Sequence, residues 1–380
     1  AIDDLAKLRL ELALYLSHLS LSNVRNISDS SLELGPVFNL ITGRNGAGKT
    51  ALLEGIYVLA RGRSFRAGGW PKLIKRDEQE LTIRAEGVRD AVGIRLGLAR
   101  NRNGSQQLRV NGKNSGKLSD IAAHLPVTML APNVGDLVTG SPLARRQFLD
   151  WGLFHVEQSF LATARAYKRA LSQRNAWLRS LPGKHRTDSP DTWLTPMLVY
   201  GIKINDWRQR YVALLDKAIG PVLEDLSKQM DVSLQYQGAG YDTDEISARV
   251  QIQSEFESEV RYRQTTKGPH RADLSVSFQG VAASTTASRG QAKLIACGLL
   301  LAQVEVLQQA RGITPIILID DFASELDPDH IQRLLSKLVG MGCQIIATAA
   351  DRRFEEIGKK LGSDPTLFHV EQGQFEKKHA

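Results

Sequence analysis

The sequence predicts an α/β fold with an antiparallel β subdomain and an inserted helical lobe. Three observations lead to this prediction: a glycine-rich loop follows an apolar strand pattern at 37–41, a second apolar strand pattern at 315–320 ends in acid, and helix-period runs fill most of 141–263. Continuously apolar strands are typical of a sheet that is buried on both faces. We therefore expect one such sheet, assembled from segments on either side of the helical stretch.

The composition is that of a globular chain with a basic surplus. The 380 residues, 42% hydrophobic and 24% charged, allow two or three domains with a sizeable core. Cys297 and Cys343 suit neither a disulfide framework nor a metal site, which indicates a reduced, cytoplasmic compartment. No signal peptide and no apolar run of membrane-spanning length is recognised, so no membrane partner is expected. The net charge of +8 favours an anionic partner, with nucleic acid first.

Strand patterns dominate the first third of the chain. Strands are predicted at 18–24, 31–34 and 37–41, and a helix at 51–59. Residues 81–112 hold three more alternating runs and the hairpin signal Asn111-Gly112, which together predict the antiparallel subdomain.

Helix patterns dominate the middle of the chain, and strands return after it. Long helical runs at 160–181 and 193–230 contain no heptads, so the insertion is predicted to be a compact lobe and not a coiled-coil arm. The expected organisation is an N-terminal extension at 1–14, an α/β head in two parts at 15–135 and 264–380, and a helical lobe at 136–263.

The loop before the first helix has the form GxxxxGK[ST], which binds nucleoside triphosphates. Its glycines let backbone N–H groups turn toward phosphate oxygens, and the helix that follows adds its positive end. Lys49 reaches the β- and γ-phosphates, and the Thr50 hydroxyl is a ligand for Mg²⁺. The predicted nucleotide-binding residues here are Gly43, Arg44, Asn45, Gly46, Ala47, Gly48, Lys49 and Thr50.

A pair of carboxylates ends the apolar strand at 315–320. Ligands of an open α/β sheet bind at the carboxyl ends of its strands, which places these acids beside the phosphate loop. Asp320 is predicted to hold Mg²⁺ through water, and Asp321 to orient or deprotonate the attacking water.

A third motif opens the helix that begins near residue 290. A Ser and a Gly at a helix start are first of all an N-cap. The functional alternative is that the same helix end receives a γ-phosphate. The motif comprises Ser288, Arg289, Gly290 and Gln291.

Taken in order, these motifs resemble the ATP-binding-cassette heads of the SMC and Rad50 class of P-loop NTPases, and within that class the RecF family of bacterial recombination-repair ATPases. The similarity runs from Tyr15 to the C-terminus. Further matching stretches are Val24-Arg25-Asn26, Gly62-Arg63-Ser64-Phe65-Arg66, Arg145 to Trp151 (RRQFLDW), Gly268 to Asp273 (GPHRAD) and Asp320 to Asp327 (DDFASELD).

The resemblance implies a function and a set of partners. Two heads would sandwich two ATP molecules, so that the Ser288 motif acts on the nucleotide of a second subunit. Arg25, Asn26 and Asp327 join the nucleotide-binding set, and Lys49 joins Asp321 in the catalytic set. The ATP-dependent homodimer would grip double- and single-stranded DNA near gaps, with RecR and RecO as partners and RecA loading as the output. A role in DNA replication maintenance and the SOS response, at the bacterial nucleoid, follows from the same similarity.

Three departures from the usual cassette pattern predict slow turnover. The signature reads SRGQ where transporters carry SGGQ, so Arg289 adds a charge. Asp321 is one methylene shorter than the usual catalytic Glu. Thr348-Ala349 stands where many cassettes have Thr-His, so no switch histidine is present there. A weak, DNA-stimulated ATPase that uses nucleotide as a dimer clamp fits this pattern.

Candidate DNA contacts are basic residues in two groups, each of which could equally be a solvated face. If they bind DNA, they contact backbone phosphates without reading sequence. The groups are Lys168, Arg169, Arg174 and Arg179 on the lobe, and Arg61, Arg63, Arg66, Lys72, Lys75 and Arg76, interleaved by Phe65 and Trp70, after the first helix.

Three other classes of protein remain as alternatives. A transporter ATPase subunit predicts an SGGQ signature, a catalytic Glu and a switch His, and none of these is present. An SMC or Rad50 head predicts a coiled-coil insertion of several hundred residues. A small-molecule kinase has no use for the SRGQ motif or for the Glu325-Leu326-Asp327 stretch.

Overall fold

The computed structural model describes residues 14–66, 68–181, 191–228, 230–241, 244–321, 326–349, 356 and 365–378. The predicted N-terminal extension, the loop at 182–190 and residues 322–325 of the acidic stretch therefore lie outside the described residues, apart from Leu14.

The described residues form strands and helices that we number in chain order. The strands are β1 Tyr15–Val24, β2 Ile27–Glu33, β3 Phe38–Thr42, β4 Glu80–Arg89, β5 Val92–Asn101, β6 Gln106–Val110, β7 Lys113–Ser115, β8 Val127–Leu130, β9 Val232–Gln237, β10 Asp273–Phe278, β11 Val281–Ala282, β12 Ile316–Ile319, β13 Ile345–Ala349, β14 Thr366–Glu371 and β15 Gln374–Lys378. The helices are α1 Lys49–Arg61, α2 Gly69–Leu73, α3 Leu118–His124, α4 Asp136–Thr139, α5 Pro142–Val156, α6 Phe160–Ser180, α7 Leu194–Leu226, α8 Glu245–Ser254, α9 Phe256–Tyr262, α10 Ala283–Thr286, α11 Arg289–Arg311 and α12 Pro328–Gly340.

The chain divides into two compact units. The first comprises residues 1–134, 225–227 and 307–380, and the second 135–224 and 228–306. These bounds differ from those expected for the head and the helical lobe. The expected division of the chain into a head and a lobe stays a prediction.

The first unit contains two six-stranded sheets. One has the order β2-β1-β4-β5-β6-β7 and is antiparallel throughout, as predicted for 81–112. The other has the order β15-β14-β3-β13-β12-β8 and is parallel except for the β14–β15 hairpin. Helix α1 and both sheets contribute to one apolar core. The predicted α/β sheet made from distant segments is thus confirmed.

The strand order of the parallel sheet positions a site. Strand β13 lies between β3, which leads into the glycine-rich loop, and β12, which leads into Asp320. All four residues of β12 are buried, which confirms the prediction of a strand covered on both faces. The loop after β3 and the acids after β12 therefore lie at one edge of the sheet.

The second unit is mostly helical but includes a strand that the sequence pattern did not indicate. The predicted helical run at 193–230 ends at Leu226, and β9 begins at Val232. Strand β9 pairs antiparallel with β10, and β11 completes a three-stranded sheet. Helix α11 is apolar and long enough to cross a membrane by length and composition, yet most of it is buried within the protein, as in the core helix of a globular fold.

Candidate nucleotide site and signature motif

The glycine-rich loop lies in the first unit, between β3 and α1. Gly48, at the start of α1, has φ 123°, a backbone conformation that side-chain-bearing residues rarely adopt. The buried Lys49 ammonium donates to the carbonyl oxygens of Gly43, at 2.8 Å, and Arg44, at 3.3 Å. A phosphate in the loop would offer this amine a charged acceptor, and charge-assisted hydrogen bonds are the stronger kind.

Two threonines fix the first carboxylate after β12. The Thr50 hydroxyl donates to Asp320 Oδ1 at 3.0 Å, and the Thr348 hydroxyl on β13 donates to the same oxygen at 2.9 Å. Thr348 Oγ1 also accepts from the backbone N–H of Asp321 at 3.0 Å. One hydroxyl on the middle strand therefore holds both acids in place.

The two acids differ in their surroundings. Burial raises the pKa of Asp320, and the neighbouring Asp321 charge raises it further, while the Thr348 and Thr50 hydrogen bonds act in the opposite direction. Asp321 has φ 44°, a left-handed conformation that is uncommon for a residue with a side chain. Such backbone geometry is often found where a side chain is aimed for function.

A cavity of about 250 Å³ lies beside these groups. Its lining includes part of the loop and the second acid, so the structure brings seven of the fifteen predicted nucleotide-binding residues together at this cavity. Lining residues are Arg25, Asn26, Asn45, Gly46, Gly48, Lys49, Thr50, Ala51, Arg66 and Asp321.

Arg25 and Arg66 converge on a buried acid that sequence reasoning missed. Glu54 is fully buried in α1, where it accepts two hydrogen bonds from Arg25, at 2.8 and 2.6 Å, and one from Ser64. Arg66 approaches the same carboxylate to 4.0 Å. The available signal was a lone Glu within an apolar helix pattern, since buried charges are nearly always paired. Arg66, predicted as a DNA contact, thus borders the nucleotide cavity.

The signature motif lies in the second unit, and its four residues are exposed. Ser288 Oγ accepts from Gln291 N at 3.3 Å, and Gln291 Oε1 accepts from Ser288 N at 2.8 Å, which is a reciprocal capping box. The N-cap role is therefore present, and its exposure leaves the helix end open to an external group.

Asp327 also caps a helix. Its carboxylate accepts from the backbone N–H of His330 at 3.0 Å and contacts the His330 ring. These hydrogen bonds lower the pKa of Asp327, the one from the His330 backbone most of all. Its assignment to the nucleotide stays a prediction.

One of the predicted DNA contacts is wrong. Arg174 is only 1% exposed and pairs with Glu259 at 2.6 Å and Asp191 at 2.7 Å, so it belongs to a buried ion network. It was misassigned because α6 carries a basic stripe and the sequence does not show which of its residues face inward. The other basic residues of α6 in that group, Lys168, Arg169 and Arg179, are exposed.

The aromatic residues among the other basic group pack against the core. Phe65 meets Tyr57 edge-on with ring centroids 5.3 Å apart, and the Arg100 guanidinium lies 4.3 Å over the Trp70 ring. Arg63, Arg66, Lys72 and Arg76 are exposed, whereas Arg61 and Lys75 are half-buried.

Two motifs of unassigned role meet in the second unit. Arg145 of the RRQFLDW stretch forms a two-pronged ion pair with Asp273 of the GPHRAD stretch, at 2.7 and 2.8 Å. Arg146 donates to the Ala272 carbonyl at 2.7 Å. The Arg208 guanidinium donates hydrogen bonds both to the Asp150 carboxylate and to the Pro269 carbonyl. These contacts bind the 268–273 loop to α5 and α7, so both motifs serve the architecture of this unit.

Comparison with known proteins gives a consistent picture. A profile of the RecF/RecN/SMC N terminal domain matches residues 15–363. The DNA replication and repair protein RecF of Shewanella loihica is 34% identical over 360 residues, covering 94% of this chain and 98% of that protein. RecF of Pectobacterium atrosepticum is 35% identical over 362 residues, with coverage of 95% and 98%.

Solved structures agree with these sequence matches. The structure described as the recombination mediator protein RecF-ATPrS in the RecFOR pathway has a TM-score of 0.85 and 25% identity, covering 97% of this chain and 99% of that one. An SMC head bound to the C-winged helix domain of ScpA has a TM-score of 0.58 and 13% identity, with coverage of 96% and 97%, and shows a shared fold only. The fold is that of a P-loop ATPase head.

Proposed function

The chain belongs to the RecF family of DNA replication and repair proteins, and from this premise we propose that it is an ATP-dependent DNA clamp. The observation that carries the proposal is the 3.0 Å hydrogen bond from Thr50 to Asp320, which joins the phosphate loop to the strand-end acid beside a cavity. A solved relative described as RecF-ATP supports ATP as the nucleotide.

ATP is held by the loop amides, with Lys49 on the β- and γ-phosphates. The Thr50 hydroxyl and the Asp320 carboxylate are hard oxygen donors only 3.0 Å apart, and Mg²⁺ prefers such donors. When bound there, Mg²⁺ supplies neutralisation of the phosphate charge. Thr348 keeps the Asp320 carboxylate turned toward this position.

Hydrolysis is assigned to Asp321, which orients or deprotonates the attacking water. The left-handed backbone of Asp321 and the hydrogen bond from its N–H to Thr348 fix the orientation of this residue at the end of β12. The short acid and the alanine at position 349, where many cassettes have histidine, favour slow turnover. Weak stimulation of this turnover by DNA is part of the proposal.

The signature acts on the nucleotide of a second copy of the chain. Ser288 to Gln291 are exposed at the start of α11, where a helix N-terminus favours an anion. Two copies would then enclose two ATP molecules, and the closed homodimer would grip duplex DNA or the single strand at a gap. RecO and RecR are the proposed partners, since a structural relative is described as acting in the RecFOR pathway. RecA loading is the proposed output.

Sedimentation with ATP, with ADP and without nucleotide tests the proposal. We expect a dimer only with ATP, loss of ATP binding in Lys49→Met, and an ATP dimer that persists in Asp321→Asn because hydrolysis is blocked. Ser288→Arg is expected to bind ATP as a monomer. A Ser288→Arg chain that dimerises with normal affinity contradicts the two-copy site, and unchanged ATP affinity in Lys49→Met contradicts the loop assignment.

A further inference from the structure

The hairpin near the C-terminus reaches the phosphate loop. Strand β14 pairs parallel to β3 from Asn39 to Thr42, so the hairpin continues beside the loop that follows β3. Glu371 pairs with Gln374 across a two-residue turn, in which Gln372 has φ 48° and Gly373 has φ 81°. These values are typical of the type I′ turn that fits a twisted hairpin.

The turn contacts the backbone of the phosphate loop on the side away from the cavity, which we call the outer side. The Gly373 N–H donates to the Ala47 carbonyl at 2.7 Å, and the Gly373 carbonyl accepts from Ser30 Oγ at 3.0 Å. A Cβ atom placed on Gly43 would lie 2.4 Å from the Val370 carbonyl oxygen. Backbone therefore packs on backbone at both ends of the loop.

Asn26 closes the same arrangement. Its side-chain amide donates to the Gly46 carbonyl at 3.1 Å, and a Cβ atom on Gly373 would lie 2.7 Å from the Asn26 carbonyl oxygen. The turn, Asn26 and the loop are thus packed without room for a side chain at position 373.

The geometry of the peptide bond links this outer contact to the phosphate side. In a trans peptide the C=O and the following N–H point in opposite directions. The Ala47 carbonyl is held by the Gly373 N–H on the outside, so the Gly48 N–H of the same peptide unit is turned the other way, into the cavity that Gly48 lines. Loop amides that point inward are what such a loop offers to phosphate.

We propose that the Gln372–Gly373 turn is a positioning element of the nucleotide site: it sets the direction of the Gly48 N–H, and therefore nucleotide affinity depends on it. The inference rests on the proposed ATP binding. Because coupling between two sites is reciprocal, bound nucleotide also stabilises the turn. Gly373 acts through the loop and does not touch the nucleotide itself.

The chain contains a matched control for this turn. The β6–β7 hairpin also has a two-residue turn, with Val110 paired to Lys113, Asn111 at φ 51° and Gly112 at φ 79°. A Cβ atom on Gly112 would meet nothing within 4 Å. Gly112→Ala therefore introduces the same backbone strain as Gly373→Ala, without the clash against Asn26.

Equilibrium ATP binding of the two variants tests the inference. We expect Gly373→Ala to bind ATP about tenfold more weakly than wild type, within the usual range of coupling between sites, and Gly112→Ala to bind as wild type does. Equal affinities in all three chains, or equal losses in both variants, overturn the inference. A wild-type chain that binds no ATP removes the proposed function instead, and the inference with it.

Hydrogen exchange on the wild-type chain needs no variant to fold. With ATP, amide exchange in the segment 371–375 is expected to slow, whereas exchange in the matched segment 109–113 stays unchanged. Exchange in 371–375 that is the same with and without ATP, while the loop itself becomes protected, overturns the inference.

Discussion

At the scale of single residues, Asp320 combines a buried position with a charge. Burial raises its pKa, so the neutral form is the one that the fold prefers. A raised acid pKa gives stability that is complete below the unfolded-state pKa and is lost as the pH rises through the folded-state pKa. The ionised form of this carboxylate therefore opposes folding, which is the expected compromise for a metal-binding group.

Asp320→Asn is expected to stabilise the nucleotide-free chain while abolishing Mg²⁺-dependent ATP binding. Asn keeps the Oδ1 acceptor for Thr50 and Thr348 but removes the buried charge, so the unfolding free energy at pH 7 should rise. Thermal unfolding without nucleotide, as a function of pH, checks this. The gain should shrink as the pH falls and wild-type Asp320 becomes protonated.

Asp77→Asn is a suitable control for that measurement. Asp77 is 92% exposed and has a left-handed backbone that Asn tolerates. Its substitution is expected to change neither stability nor Mg²⁺ dependence. A nucleotide-free Asp320→Asn chain that is less stable than wild type at pH 7 contradicts the argument from burial.

Substitution of Thr348 should slow ATP hydrolysis while leaving ATP binding nearly unchanged. Thr348→Val has nearly the same shape but leaves the Asp321 N–H without its acceptor and Asp320 without one donor, a loss of about 1–3 kcal/mol for buried groups. We expect kcat to fall about tenfold or more with ATP affinity changed little, and Thr348→Ser to recover wild-type turnover. If Thr348→Ser is as slow as Thr348→Val, the hydroxyl is not the group that matters.

At the scale of elements, sequence patterns predicted motifs made of contiguous residues and missed contacts between residues that are far apart in the chain. The phosphate loop and the acids after β12 were predictable because their spacing and flanking apolar runs are contiguous. The Arg25–Glu54 pair and the burial of Arg174 were not, since each depends on partners that tertiary packing brings together. Strand β9 was missed because its six residues follow a long helix pattern directly and pair with β10, some forty residues later.

The GPHRAD loop makes a pH prediction at this scale. His270 shares a 2.7 Å hydrogen bond with Tyr167, and burial, together with the charges of Arg271 and Arg146, lowers its pKa to about 4. A base with a lowered pKa stabilises the fold above its unfolded-state pKa, near 6.5, and this stability is lost as the pH falls toward 4. The second unit should lose up to about 3 kcal/mol over that interval.

Tryptophan fluorescence can follow this unit, because Trp151, Trp177, Trp193 and Trp207 all belong to it. His270→Gln removes the titrating group, so its unfolding free energy should vary less between pH 6.5 and 4 than that of wild type. Above pH 7, the difference in unfolding free energy between the two chains measures the cost of losing the contacts that His270 makes. Identical slopes in both chains would show that His270 does not govern acid sensitivity.

At the scale of the whole molecule, two units are each assembled from separated segments, and the proposed clamp requires both. The sequence located the motifs of each unit, but the bounds of compact packing, such as residues 225–227 joining the first unit, follow from contacts that no pattern reveals. DNA binding should require ATP, because in the proposed clamp only the closed dimer presents the basic surfaces of both copies to one duplex. It should also be electrostatic, since the net charge is +8 and the basic residues suit backbone phosphates.

Salt titration of DNA affinity tests the clamp and separates exposed from buried cations. Each neutralised phosphate releases counterions, so log K falls with log salt at a slope of about −0.9 per contact. Replacing the exposed Lys168 and Arg169 with Ala should reduce that slope by up to about two contacts without changing ATP affinity. Arg174→Ala should instead destabilise the fold by about 3–5 kcal/mol, because it leaves Glu259 buried and unpaired. Labelled duplexes of two unrelated sequences should bind alike with ATP and weakly with ADP; equal affinity with both nucleotides, or a strong sequence preference, would contradict the clamp.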